Sequence, residues 1–213
     1  MSKLQALIIP VTPFQQNCSL VFDDEKKVGA IVDPGGDVSR ILEAISKSGV
    51  TIEKILLTHG HIDHAGGAAA LKEALNVPIE GPHAEDLFLL EALPESGAKY
   101  GMMDARAVTP DRWLQDGDTV TVGDLQFSIH HAPGHSPGSI VFFNADNRFA
   151  LMGDVLFQGS VGRTDLPRGD HETLLRSIRQ KIFPMGDDVV FLPGHGSPST
   201  VGEERQSNPF LQG

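Results

Sequence analysis

The chain reads as a mixed α/β protein with two β-sheets and its helices on the outside. Three observations point there: short β-rich runs outnumber helical stretches, several neighbouring runs are joined by hairpin-like turns, and amphipathic helical patterns fall between groups of strands. The opening strands are expected at 6–11, 18–22 and 28–32, each rich in Val, Ile, Leu or Phe and closed by polar or turn residues. Asp23-Asp24-Glu25-Lys26-Lys27, between the second and third, reads as a solvated turn. Val38, Ile41, Leu42 and Ile45 recur at helical spacing and predict a helix over 38–48. A strand follows at 54–57, then helical patterns at 67–75 and 84–93. Residues 94–110 carry Pro94, Gly97, Gly101 and Pro110 and read as a loop; Met102 and Met103 within it could border a pocket or simply fill a gap. Strands at 119–122 and 125–130 flank the tight turn Val122-Gly123-Asp124, and further strands are expected at 139–143, 149–152 and 189–192. Between the last two, Leu174, Leu175 and Ile178 mark the inward face of a helix over 171–182.

With 213 residues and 22.9 kDa the chain suits one domain, 1–213, able to bury a substantial core. Lys and Arg number 17 against 28 Asp and Glu, and the formal net charge of −11 argues against nucleic acid or an anionic membrane as partner. No apolar run is long enough to span a bilayer. Cys18 is the lone cysteine, so no internal disulfide can form, and the first residues lack an apolar leader; a reducing, cytoplasmic location is expected. Cys18 itself reads as a small buried hydrophobe.

The densest chemistry lies in Thr58-His59-Gly60-His61-Ile62-Asp63-His64, between the apolar Ile55-Leu56-Leu57 and Ala65-Gly66-Gly67. Imidazole and carboxylate are ligands for zinc and similar divalent ions, and glycines let the backbone crowd a bound centre. A strand ending at Thr58 would place His59 and His61 on one side of the following turn, with Asp63 and His64 pointing elsewhere, so one segment could serve two ions. Other strand ends add His135, Asp154 and His195, each beside a glycine. Loops at the ends of a rigid sheet are where catalytic side chains gather.

Taken together, His59-x-His61-x-Asp63-His64 followed by His135, Asp154 and His195 resembles the ligand set of the metallo-β-lactamase superfamily across nearly the whole chain. The surrounding Pro133-Gly134-His135-Ser136-Pro137-Gly138 and Gly153-Asp154-Val155-Leu156-Phe157 are similar to the type II glyoxalases and their short relatives. The resemblance implies a four-layer αββα sandwich with the metals at one edge. It implies that His59, His61 and His135 hold one ion, that Asp63, His64 and His195 hold another, and that Asp154 bridges them. Two divalent ions are thus the expected cofactor, zinc first, with iron or manganese also accepted by such donors. A water shared between them would become hydroxide near neutral pH and act as nucleophile, with Asp63 and Asp154 as the catalytic carboxylates. Asp33, after the strand at 28–32, could support a ligand histidine or serve as a plain turn former. His130, His131, His83 and His171 stay outside the set, as strand-end, supporting or helix-start residues.

The loop Gly159-Ser160-Val161-Gly162-Arg163-Thr164-Asp165-Leu166 resembles the glyoxalase segment that usually reads Gly-Gly-Cys-Gly followed by Lys or Arg; Val161 stands in place of the cysteine. Arg163 then aligns with the basic residue that helps hold glutathione, although pairing with Asp165 or Asp170 is the plainer reading. The implied activity is hydrolysis of S-D-lactoylglutathione or a related hydroxyacyl-glutathione thioester, a small-molecule substrate. The helical C-terminal domain that type II glyoxalases use to grip glutathione is not expected here, since the chain ends soon after His195. An iron-dependent glutathione persulfide dioxygenase is the alternative within the same superfamily. Lactamase, nuclease and lactonase branches fit less well: Asp154 stands where the commonest zinc lactamases have cysteine, no basic stripe is present, and Tyr100 is the only tyrosine.

Overall fold

The computed structural model of the chain describes residues 3–212. The first sheet contains β1 (Leu4–Val11), β2 (Gln16–Asp23), β3 (Val28–Val32), β4 (Thr51–Leu56) and β5 (Ile79–Glu80), in that spatial order. β1, β2 and β3 are antiparallel neighbours, whereas β3, β4 and β5 run parallel. Parallel neighbours need crossovers, and these are α1 (Val38–Ser48), then α2 (Ile62–Ala65) with α3 (Ala68–Leu75). α4 (Leu87–Glu91) and α5 (Leu93–Tyr100) lead to the second sheet.

That sheet is built from β6 (Thr119–Val122), β7 (Leu125–His131), β8 (Ile140–Asn144) and β9 (Phe149–Gly153), completed later by β12 (Val190–Pro193) and β13 (Ser199–Thr200). Between β9 and β12 come the short pair β10 (Leu156–Phe157) and β11 (Ser160–Val161), then α6 (His171–Ser177); α7 (Val201–Ser207) follows β13. The spatial order is β13-β12-β9-β8-β7-β6, with β12 parallel to β9 and the other neighbours antiparallel.

Period-2 alternation distributes the apolar side chains between layers. In β2, Cys18, Leu20 and Phe22 pack with Ile41 of α1, Leu71 of α3 and Leu90 of α4. Val21 turns the other way, joining Val32 and Leu56 against Phe127, Ile140 and Phe142 of the second sheet. In β8, Val141 and Phe143 pack with Leu174 of α6, while Ile140 and Phe142 face the first sheet. Helices, sheet, sheet and helices thus form the expected four-layer αββα sandwich.

Local departures have local causes. Residues 93–100 are helical rather than loop, because Pro94 sits in the first turn, where a missing N–H does no harm. The stretch 84–93 splits into a 3-10 turn (Ala84–Asp86) and α4, and α6 continues into a π-helical turn (Ile178–Ile182). The expected strand at 54–57 starts earlier and ends at Leu56, so Thr58 lies beyond it. Asp23 is not solvated with its turn: it is fully buried, and its carboxylate accepts from the N–H groups of Glu25, Lys26 and Asp124. Among the described residues no helix is long and apolar enough to cross a membrane.

Candidate metal centre

Strand direction gathers the motif residues. β3 and β4 are parallel neighbours, so Asp33 and the segment 58–64 leave the first sheet at the same edge. In the second sheet β12 runs parallel to β9, and β7 runs the same way because both are antiparallel to β8. His135 after β7, Asp154 after β9 and His195 after β12 therefore emerge together. The two edges are pinned by Ile140 N–H donating to the Thr58 carbonyl at 2.9 Å and Asn17 N–H donating to the Gly194 carbonyl at 2.8 Å. α2 is a single turn that carries Asp63 and His64, whereas His59 lies before it and His61 stands at its N-cap.

Two groups of donors result. His59, His61 and His135 form one; Asp63, His64 and His195 form the other; within each, donor atoms lie within 4.8 Å of one another. In the first, His135 Nε2 stands 3.2 Å from His59 Nε2 and 2.9 Å from His61 Nδ1. In the second, Asp63 Oδ2 is 3.1 Å from His195 Nε2 and 3.7 Å from His64 Nε2. Asp154 stands between them: Oδ1 is 3.3 Å from His64 Nε2, and Oδ2 is 3.5 Å from His135 Nε2 and 3.7 Å from His195 Nε2. Only glycine fits at position 194, where a Cβ would lie 2.1 Å from Asp154 Oδ1.

Hydrogen bonds decide which ring nitrogens face inward. Asp33 accepts from Thr58 N–H at 2.7 Å and from the Thr58 hydroxyl at 2.6 Å, leaving that hydroxyl oxygen to accept from His59 Nδ1 at 3.1 Å. Asp33 also accepts from His64 Nδ1 at 2.9 Å, and the Arg163 carbonyl accepts from His135 Nδ1 at 2.8 Å. These three rings carry protons on Nδ1 and turn Nε2 inward, where those of His59 and His135 present lone pairs. The lone pairs of His59 and His135 then face each other at 3.2 Å, and His64 Nε2 and Asp154 Oδ1 are buried without a hydrogen-bond partner. A cation reconciles these atoms: metal–nitrogen bonds of about 2.0–2.1 Å place tetrahedral ligands roughly 3.3 Å apart. The clusters are able to bind metal, and their mixture of imidazole and carboxylate admits zinc, iron or manganese.

The same crowding shapes the charges. Burial, aided by repulsion from His64 and His135, pushes the His59 imidazolium well below its ordinary range. Burial and His135 hold His61 at about 3. Burial also works against charge on His64, but the carboxylates of Asp154 and Asp63 outweigh it and raise His64 well above the ordinary value. On Asp154 burial acts upward, yet His64, His135 and His195 draw the carboxyl below its usual range. Asp63 is lowered in the same way, His64 and His195 prevailing over burial.

Sequence reasoning missed Asp86, an acid in a helical stretch with no ligand-like spacing. It is fully buried and accepts from Gly60 N–H at 2.8 Å, Ser136 Oγ at 2.8 Å and Gly138 N–H at 2.6 Å. Burial lifts its pKa despite these donors. Gly60 separates His59 from His61 and Ser136 follows His135, so one carboxylate ties both stretches of the first group. His130 instead pairs with Ser128 at 3.1 Å, His131 stacks on His83 with ring centres 4.1 Å apart, and His171 opens α6.

Residues 11–195 match the family model described as the metallo-beta-lactamase superfamily. The chain belongs to that superfamily. It is 50% identical over 205 residues to a Haemophilus influenzae protein named hydroxyacylglutathione hydrolase GloC, the match covering 96% of each chain. A Bacillus subtilis protein named probable metallo-hydrolase YqgX is 35% identical over 205 residues, again 96% of each. Among solved structures, the BLEG-1 B3 metallo-beta-lactamase gives a TM-score of 0.90 at 37% identity, covering 98% of this chain and 100% of that one. TTHA1623 in a di-iron-bound form gives 0.87 at 35% identity, covering 96% and 100%.

In this metallo-beta-lactamase superfamily member, both donor groups open on a pocket of about 730 Å³. His61, Asp63, His135, Asp154 and His195 line it together with apolar side chains, among them Phe14, Phe88, Leu89 and Phe157. Arg163 lines it too, but its guanidinium is held by Asp165 through bonds of 2.7 and 2.6 Å. Its backbone carbonyl, rather than its side chain, meets His135. Asp170 is occupied elsewhere, accepting from Thr173 N–H at 2.6 Å as the cap of α6.

Proposed function

We propose that this hydrolase is a metal-dependent thioesterase acting on S-D-lactoylglutathione or related hydroxyacyl-glutathione conjugates. The observation that carries the reading is the paired donor groups, with Asp154 between them, opening on one largely apolar-walled pocket. The 50% identity to the protein named hydroxyacylglutathione hydrolase supports the substrate class. His59, His61 and His135 would hold one ion, Asp63, His64 and His195 the other, and Asp154 would contact both. Zinc is the first candidate, with iron and manganese also compatible. Such ions, when bound, lower the pKa of water and polarise a carbonyl.

The chain's own residues do the remaining work. Asp63, close to His195 and lining the pocket, is placed to orient an attacking water and take up its proton. Asp33, through Thr58 and directly, fixes the rings of His59 and His64, one from each group. Water adds to the acyl carbon, the carbon–sulfur bond breaks, the proton taken up by Asp63 passes to the departing sulfur, and the products are the hydroxy acid and the free thiol. The substrate is a small molecule; no nucleic acid or membrane partner is invoked, and the cytoplasm is the assigned location.

A persulfide dioxygenase using one iron would leave an equally complete donor group without a role. Zinc-loaded protein should hydrolyse lactoylglutathione in the absence of oxygen. Activity found only with iron, oxygen and a persulfide would overturn the reading. Asp154→Ala is expected to lower metal content and hydrolysis together; an unimpaired variant would remove its assigned place between the ions.

A further inference from the structure

Resting on the thioesterase reading, we propose that Lys99 of α5, rather than Arg163, anchors a carboxylate of the thiol carrier. α5 buries Leu93 and Gly97 and turns Glu95, Ser96, Lys99 and Tyr100 to the pocket. Arg163 and Lys99 are the two Lys or Arg side chains among the residues lining that pocket, and Arg163 is bonded twice to Asp165. Lys99 differs: among the described residues no carboxylate lies within 4.0 Å of its Nζ, which stands 5.3 Å from the Tyr100 ring centre. Glu95 sits one turn earlier, in the orientation that favours an ion pair along a helix. The two nevertheless do not pair, and both residues line the pocket.

The end of α5 is braced there. Tyr100 packs edge-on against Phe14 of the β1–β2 turn with ring centres 5.4 Å apart, so Lys99 projects from a supported element. A chain of formal charge −11 gives an anionic substrate no general attraction, and an ammonium without a carboxylate partner, on a residue lining the pocket onto which the donor groups open, is a local exception. Glutathione carries carboxylates at both ends and an ammonium at one. Lys99 meets the first requirement, its mobile stem allowing it to reach a carboxylate, and Glu95 has the sign for the second.

The test compares a glutathione thioester with the same acyl group on N-acetylcysteamine, an uncharged carrier. Lys99→Met should lower the ratio of kcat/KM for the two substrates roughly three- to tenfold, mostly through KM, as expected for an ion pair at a partly solvated rim. Lys99→Arg should restore most of the ratio, and Arg163→Ala should move it less than Lys99→Met does. Binding of S-methylglutathione, which cannot be hydrolysed, should weaken by a similar factor in Lys99→Met. An unchanged ratio together with unchanged S-methylglutathione binding overturns the assignment. If the wild type binds S-methylglutathione through Lys99 but hydrolyses neither thioester, the anchor stands and the thioesterase reading falls.

Discussion

A carboxylate that serves three donors at once has no easy substitute, and Asp86 is such a residue. Gly60 N–H, Gly138 N–H and the Ser136 hydroxyl all end on it, out of contact with solvent. Asp86→Ala strands those donors, each at about 1–3 kcal/mol, so a loss of roughly 3–5 kcal/mol in urea unfolding is expected. Because Gly60 and Ser136 adjoin His59, His61 and His135, metal affinity of that group should also fall, by roughly 10–100-fold as for other residues that orient ligands. Asp86→Asn keeps the volume and one acceptor but aims an amide N–H at a donor, and should fall between. Wild-type stability in the alanine variant would show the network to be dispensable. At this scale the gathering of His59, His61, Asp63, His64, His135, Asp154 and His195 was legible because the segments that carry them follow apolar runs and are rich in residue types able to bind metal. Asp86 was not, because its function lies in which backbone groups it meets, and these come from segments 26 and 52 residues away.

Among the helices and strands, α5 shows why Pro and Gly mislead when position within a helix is ignored. Pro94 falls where no N–H is needed, and Gly97 is set by packing: a Cβ there would lie 2.5 Å from the Met102 carbonyl oxygen and 2.8 Å from Ala105 Cβ. Gly97→Ala is therefore expected to destabilise by about 1–3 kcal/mol through overpacking, although Ala exceeds Gly in helix propensity by about 1 kcal/mol. A stabilised variant in thermal unfolding would refute the packing argument. The long strands were legible because their alternation continues on both faces; β5, β10, β11 and β13 are two residues each, too short for any period to show. One of these is held by Asp111, which accepts from Ile79 N–H at 2.7 Å and from Lys72 Nζ at 2.8 and 2.7 Å. The Lys72 ammonium, then the Ile79 N–H, pulls the Asp111 carboxyl below its ordinary range. A depressed folded-state pKa contributes stability that is present above the unfolded value and lost as pH falls through the folded one. Asp111→Ala should thus cost about 0.5–1 kcal/mol at neutral pH, the pair being exposed, and the gap from wild type should narrow under acid. A gap independent of pH would mean that the ion pair contributes nothing.

For the molecule as a whole, an ion held by the donor groups would clasp two sheets that already share a core. Val21, Val32 and Leu56 of the first sheet pack on Phe127, Ile140 and Phe142 of the second, and each sheet has its own cluster with the outer helices. Hydrophobic burial of this kind does not depend on an ion, so metal-free protein should remain folded. The clasp adds to it: His59, His61, Asp63 and His64 follow the first sheet's strands, while His135, Asp154 and His195 follow the second's. An ion bound only by the folded state stabilises it by about 2.7 kcal/mol at a free concentration of 100 times Kd, and about 4.1 kcal/mol at 1,000 times. Chelation should therefore lower Tm while leaving the far-ultraviolet dichroism of the sheets in place, and adding zinc back should restore Tm in a concentration-dependent way. In Asp154→Ala the rise on adding zinc should shrink, since that variant lacks the carboxylate between the groups. Equal Tm values for chelated and zinc-loaded wild type would show that the donors, though gathered, do not hold an ion tightly enough to join the sheets.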